Sequence, residues 1–253
     1  MSRVFQIVTL CVIALVIISC REPEPFFTDR GEGYYPLEAG RVLEYKVDSV
    51  IFDDAGTVNR LDTFSSFVRE RTVDEFIDGE GNTVYRIQRE YRKVPDDAWQ
   101  VTHLWTAASN GYEAIRNEEN QRLVKMEFPL YFNRRWSPTK YINTLIQVPV
   151  GTETINMYSL WEGEVLSIHQ PEHIGDFAFD SVMTCQQADD DNELERRYVR
   201  EKYARGIGLV FRMDTIVDSR CERIGDFGPC IGMPWIKKGE KGYIMRMELI
   251  SHN

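Results

Sequence analysis

The sequence predicts an all-β fold: an antiparallel meander forming a curved sheet, half-barrel or barrel of roughly ten strands. Three observations predict it. Apolar and polar residues alternate with period two, as where Leu43, Tyr45 and Val47 oppose Glu44, Lys46 and Asp48. Turn-forming clusters interrupt these runs about every eight to twelve residues. Aromatic residues make up 12% of the chain and recur along strand faces. They are read first as core, the alternative being an apolar ligand cavity. A β-sandwich satisfies the same pattern and is the alternative fold.

In order along the chain, residues 1–19 read as a signal peptide. Arg3 and the amino terminus supply the positive start, and Val4–Ile18 is a mostly apolar run. Such a run reaches only about 22 Å as a helix, short of the roughly 30 Å hydrocarbon core, and Gln6 and Thr9 weaken it further. The cut site Ile17-Ile18-Ser19-Cys20 resembles a bacterial lipobox. That resemblance implies that Cys20 is diacylglycerated, becomes the first mature residue and carries further acylation such as palmitate. Two or more chains anchor stably, at about 0.8 kcal/mol per buried CH₂. Residues 20–33 form a proline-stiffened tether with a reach of roughly 45 Å. Arg21 is not the aspartate that resembles an inner-membrane retention signal. The expected location is therefore the outer membrane, the periplasmic face favoured over the cell surface.

Residues 34–253 read as a single β-rich domain. Arg41–Phe52 alternates, turns at Asp53–Gly56, and continues in Thr57–Phe76. After Asp78–Asn82, Thr83–Lys93 places Tyr85, Ile87 and Tyr91 on one side. Trp99–Ala107 places Trp99, Val101, His103 and Trp105 together, and Tyr112–Arg116 pairs with Gln121–Leu130. Tyr131–Tyr141 reads as a loop, and Ile142–Val150 with Thr152–Tyr158 as a hairpin around Gly151. Trp161–Ile168, Phe177–Gln187, Glu193–Ala204, Ile207–Val217 and Tyr243–Ser251 complete the strands. Ala188–Asn192 and Lys237–Gly242 are expected turns. No repeat of 20–50 residues appears.

The net charge is −10, and becomes −11 once the leader with Arg3 is removed. With no basic cluster, this disfavours nucleic acid and anionic membrane surfaces as partners. Besides Cys11 in the leader and Cys20, the chain holds Cys185, Cys221 and Cys230. An oxidising compartment favours pairing. Cys221 and Cys230 flank the turn signal Gly225-Asp226-Phe227-Gly228-Pro229 and are the expected disulfide, with Cys185 a buried thiol.

Several segments together resemble a group of uncharacterised bacterial lipoproteins. They are Tyr34-Tyr35-Pro36-Leu37 with Gly40, Tyr45 and Val47-Asp48-Ser49, then Phe128-Pro129-Leu130 with Trp136, then Glu201-Lys202-Tyr203-Ala204-Arg205-Gly206-Ile207-Gly208-Leu209-Val210. The resemblance implies a compact β domain behind a lipid anchor. It implies no reaction and no catalytic residues, and no cofactor is expected.

The candidate chemistry is weak throughout. His169-Gln-Pro-Glu-His173 departs from the zincin pattern because Pro171 interrupts it and Glu172 is misplaced, so it reads as a polar loop. Asp189–Glu193 lacks the glycine and the closing glutamate of an EF-hand loop and reads as a solvated turn. Gly206-Ile207-Gly208 lacks a phosphate-loop context and reads as a bulge or close backbone approach. His103 is expected as a hydrogen-bonded core residue. No nucleophile motif is present. The expectation is a non-catalytic, lipid-anchored envelope protein that binds another envelope component. The alternatives are a binder of a lipid or small apolar ligand, and a carboxylate-based hydrolase.

Overall fold

The structure, a computed structural model, describes residues 29–53, 60–221, 225 and 228–253. The leader, Cys20, most of the tether and the Asp54–Gly56 turn lie outside these residues. The chain forms β1 (Val42–Asp53), β2 (Arg60–Ile77), β3 (Thr83–Arg92), β4 (Gln100–Ser109), β5 (Glu113–Glu118), β6 (Gln121–Glu127) and β7 (Arg135–Trp136). It continues with β8 (Val148–Val150), β9 (Glu153–Ile155), β10 (Gly163–Ile174), β11 (Phe177–Asp191), β12 (Glu195–Ala204), β13 (Gly208–Ser219) and β14 (Gly239–His252). One short helix, α1 (Trp235–Lys238), precedes β14.

Twelve strands form one antiparallel sheet in the order β6-β5-β4-β3-β2-β1-β14-β13-β12-β11-β10-β7, and β8-β9 is a separate hairpin. The sheet rolls into a nearly closed barrel, so the single-sheet reading holds over the sandwich. The seam is closed by Trp136, opposite Gly163 in the β7–β10 register. Its indole Nε1 donates to the Val124 carbonyl at 3.0 Å, and Val124 N–H donates to the Pro138 carbonyl at 2.9 Å. A buried core of apolar side chains fills most of the lumen, and a smaller one lies under the β8-β9 hairpin.

The two mouths of the barrel are covered differently. Residues 31–37 cross one, where Tyr34 is fully buried and donates to, or accepts from, Ser181 Oγ at 2.7 Å. Segment 142–162 covers the other. Arg197 pins that cap, donating through Nε to the Asn156 carbonyl and to Ser159 Oγ at 3.0 Å each. Asp53 accepts from the Thr152 hydroxyl and backbone N–H. The described chain begins at the first mouth, where Asp29 pairs with Arg205 of the β12–β13 turn.

Several expectations need correction. Asp189–Asp191 is not a turn: it continues β11, paired with β12 out to Asp191↔Arg196, and Asn192 begins the turn. Residues 237–242 are α1 followed directly by β14, because Pro234 and Trp235 start a helical turn. His169–His173 is not a loop but part of β10, paired with β11 through register shifts. Gly206 and Ile207 lie in the β12–β13 turn rather than in a bulge, with Gly206 at φ +78° and its N–H donating to the Gly33 carbonyl at 2.8 Å, and Gly208 opens β13. Val101 does not share a face with Trp105. A register shift between Arg89 and Glu90 places Val101 opposite Glu90 and Leu104 opposite Gln88, while Trp105 faces Ile87 in the lumen. His103 is exposed rather than core, its Nε2 lying 3.1 Å from the Glu119 carboxylate.

Candidate functional site

The lumen holds a layer of charge between the two apolar cores. Strand alternation delivers most of it. Glu70 stands between the inward Val68 and Thr72, and Glu201 between Val199 and Tyr203. Arg212 and Asp214 precede the inward Ile216 on β13, and Arg89 lies opposite Glu70 in the β2–β3 register. Lys125 shares the parity of the inward Leu123, and a bulge between Ala114↔Met126 and Ile115↔Val124 leaves it as the extra residue of the ladder.

These groups form a continuous chain of ion pairs across the barrel. Arg89 Nη1 lies 3.4 Å from Glu70 Oε1, and Arg116 Nη2 lies 2.7 Å from Glu70 Oε2. Arg116 Nε then meets Glu118 Oε1 at 3.3 Å. Glu118 continues to Arg212 Nη1 at 3.8 Å. Arg212 holds Asp214 in a two-pronged grip, Nε to Oδ1 and Nη2 to Oδ2, both 2.9 Å. It also lies 3.6 Å from Glu201, to which Lys125 Nζ donates at 2.5 Å. Glu201 is fully buried and further accepts from Gln187 Nε2 at 2.7 Å and the Tyr203 hydroxyl at 2.8 Å.

The layer balances four cations, Arg89, Arg116, Lys125 and Arg212, against four carboxylates, Glu70, Glu118, Glu201 and Asp214. Burial alone would raise the Glu118 carboxyl, but Lys125, Arg116, Arg212 and Arg89 outweigh it and hold it at about 2. Desolvation of Glu201 is likewise overcome by Lys125 and Arg212, which lower it. Burial pushes the Tyr203 and Tyr243 phenols up, so both remain donors, Tyr243 to Asp214 at 3.2 Å. Glu70 and Glu118 each face the Arg116 guanidinium, and Glu201 and Asp214 each face Arg212. This places a cation between neighbouring carboxylates.

One pocket opens above this layer, beneath the cap. It measures about 250 Å³ and is lined by Leu123, Ile146, Val148, Tyr158 and Trp161, with Glu118, Arg212 and Tyr243 at its floor. The opposite mouth keeps only about 50 Å³ around Tyr35, Leu43 and Ile207. Ligand pockets for drug-sized molecules run about 300–1,000 Å³, so the cap pocket suits a fragment rather than a long acyl chain. Among the aromatic residues Tyr34, Tyr45, Trp105, Trp136 and Tyr203 are buried, whereas Tyr85, Tyr91 and Trp99 are only partly buried.

The other sequence candidates are dispersed. Cys221 and Cys230 form the expected disulfide, with Cα atoms 6.4 Å apart, and Cys185 is a buried free thiol. His169 Nδ1 lies 2.9 Å from the Tyr34 hydroxyl, while Glu172 pairs with Lys202. Asp189 and Asp191 both turn to Arg196, at 3.1 and 3.4 Å. Among the described residues, no group of three or more potential metal ligands is assembled.

No protein-family model matches the chain, and no curated protein matches it. Solved structures align with it, among them these two. One is a candidate lipoprotein from Parabacteroides distasonis ATCC 8503, 9% identical, with a TM-score of 0.40 over 87% of this chain and 98% of that one. The other is a candidate exported protein with a YmcC-like fold from Bacteroides fragilis NCTC 9343, 10% identical, with a TM-score of 0.42 over the same shares.

Proposed function

We propose that this protein is a lipid-anchored, non-catalytic component of the bacterial envelope. In this reading Cys20 holds it on the outer membrane, on the periplasmic face, where it binds another envelope protein. The observation that carries the reading is Ile17-Ile18-Ser19-Cys20 at the end of an apolar leader too short to span a bilayer. The barrel interior supports binding over catalysis. Its ionisable groups are paired with one another across the lumen, which makes them a brace rather than a set of poised acids and bases. The acidic balance of the chain supports a protein partner over nucleic acid.

The test is fractionation of Cys20→Ser. The anchored form stays with membranes through a carbonate wash and Cys20→Ser is released. Retention of Cys20→Ser in the membrane pellet would overturn the anchor. A second reading rests on the cap pocket, whose apolar walls and single charged floor suit a small apolar ligand with one polar group. Native mass spectrometry of the purified protein tests it. A co-purifying mass that disappears in Val148→Trp supports it, and a bare protein mass throughout removes it.

A further inference from the structure

Among the described residues, two stretches of open edge in the sheet are built differently. On β10 the outer side is paired by β7 at Gly163 and Glu164 and by Asn133 and Arg134 at Val165. The rest of that edge carries Pro171, His169 at φ +57° and three register shifts against β11. These are the devices by which proteins blunt an edge against further pairing. β4 carries a single register shift, against Arg89 and Glu90 of β3, and its open stretch has neither a proline nor a positive φ. β5 pairs only with Thr106–Ser109, so among the described residues Gln100–Trp105 has no ladder partner on its outer side. Gln100 through Leu104 are all exposed, five in a row within a strand. The segment Gln-Val-Thr-His-Leu-Trp contains no proline and no Lys, Arg, Asp or Glu. Val101 and Leu104, each 62% exposed, lie on the same outer face because of the shift in the β3–β4 register.

We infer that this edge pairs with the same edge of a second copy, antiparallel, about a two-fold axis between Thr102 and His103. In that register Val101 meets the partner's Leu104, Leu104 meets the partner's Val101, Thr102 meets the partner's His103, and Gln100 meets the partner's Trp105. The pairing is self-complementary: the two exposed apolar side chains cover each other twice over, as an isologous interface requires. It also suits an acidic protein. Two copies that repel through their net charge of −10 can meet most easily at a strand with no charged side chain other than a histidine. Room exists for the approach. Beside the edge, where β4 runs beyond the β5–β6 turn, a polar notch of about 440 Å³ is lined by His103, Thr106, Asn117, Glu119 and Asn120. The antiparallel partner would send its Trp99 end into that notch. The open edge lies toward the capped mouth, away from Asp29, so two copies tethered side by side could present their edges to each other.

The pairing does not depend on the lipid anchor, and the experiment keeps the two apart. Sedimentation velocity of the mature chain carrying Cys20→Ser is expected to show a concentration-dependent monomer–dimer equilibrium. Val101→Lys/Leu104→Lys places like charges opposite each other twice, and is expected to weaken the dimer by about tenfold or more with an unchanged circular dichroism spectrum. For full-length chains in cells, a mixture of Thr102→Cys and His103→Cys molecules is expected to yield an oxidative crosslink of twice the chain mass that Thr102→Cys alone does not. A Cys20→Ser chain that stays monomeric at all concentrations overturns the inference. So does a lysine pair that leaves the equilibrium unmoved, or a crosslink from the mixture to a protein of different mass.

Discussion

Replacing Glu201 with Gln tests whether the buried charge layer braces the barrel. The side chain keeps its shape, so little packing is lost. What is lost is the negative charge 2.5 Å from Lys125 Nζ and 3.6 Å from Arg212. Lys125 is only 3% exposed, so water cannot replace the missing partner, and the layer passes from neutral to one excess positive charge. Removing one member of a buried pair costs about 3–5 kcal/mol. A domain of this size is typically stable by about 5–15 kcal/mol. The expected change is therefore a large fraction of the total, and a fall in Tm of roughly 6–20 °C. The control is Lys125→Met/Glu201→Gln, which restores neutrality by removing both charges. It is expected to be more stable than Glu201→Gln alone, because deleting a whole buried pair costs far less than orphaning half of it. Urea melts followed by tryptophan fluorescence, with scanning calorimetry, supply the numbers. A Glu201→Gln variant within about 1 kcal/mol of the parent, or a double variant whose cost is the sum of the two singles, would refute the brace.

Three other outcomes are expected. Glu118 is depressed from an ordinary 4.5 to about 2, so its stabilisation is complete above about pH 4.5 and is lost as the pH falls toward 2. Stability measured by urea melts should drop across that window, and Glu118→Gln should flatten the drop. Replacing Cys221 and Cys230 by serine opens a loop closed over a separation of nine residues, and should cost about 2.5–3 kcal/mol in the chain-entropy description, read as a shift in the urea midpoint. Gly163→Ala would place a methyl group on the Trp136 ring at the barrel seam. It should destabilise by about 1–3 kcal/mol and red-shift tryptophan emission, whereas an unchanged spectrum and midpoint would show that the seam tolerates overpacking.

Much of the charge layer was legible in the sequence once parity is respected. Val68-x-Glu70-x-Thr72, Ile87-x-Arg89-x-Tyr91 and Val199-x-Glu201-x-Tyr203 each place one ionised side chain at an inward position of an alternating strand. A charge at an apolar parity is a signal that a partner waits across the fold. Lys125 follows the inward Leu123 at the same parity, but the signal is broken after it: the β5–β6 ladder slips by one residue and brings Met126 inward too, so the alternation does not continue. The same mechanism misled the reading of Val101, which alternation places with Trp105 and the β3–β4 shift turns outward.

The sequence by itself determined the strand periodicity, the turn at Cys221–Cys230 and the all-β class, since each depends on neighbours within about ten residues. It also carried the apolar N-terminal run and the resemblance to a lipobox that motivate the proposed anchor. Tertiary structure alone decided that the sheet rolls until Trp136 reaches Val124, and that eight charges from strands distant in sequence neutralise one another in the lumen. It decided too that β4 outruns β5 and leaves an uncharged edge open. These depend on which strands become neighbours and in what register. Local propensity does not encode that choice; it follows from the long-range pairing of β1 with β14 and from bulges that re-aim single side chains.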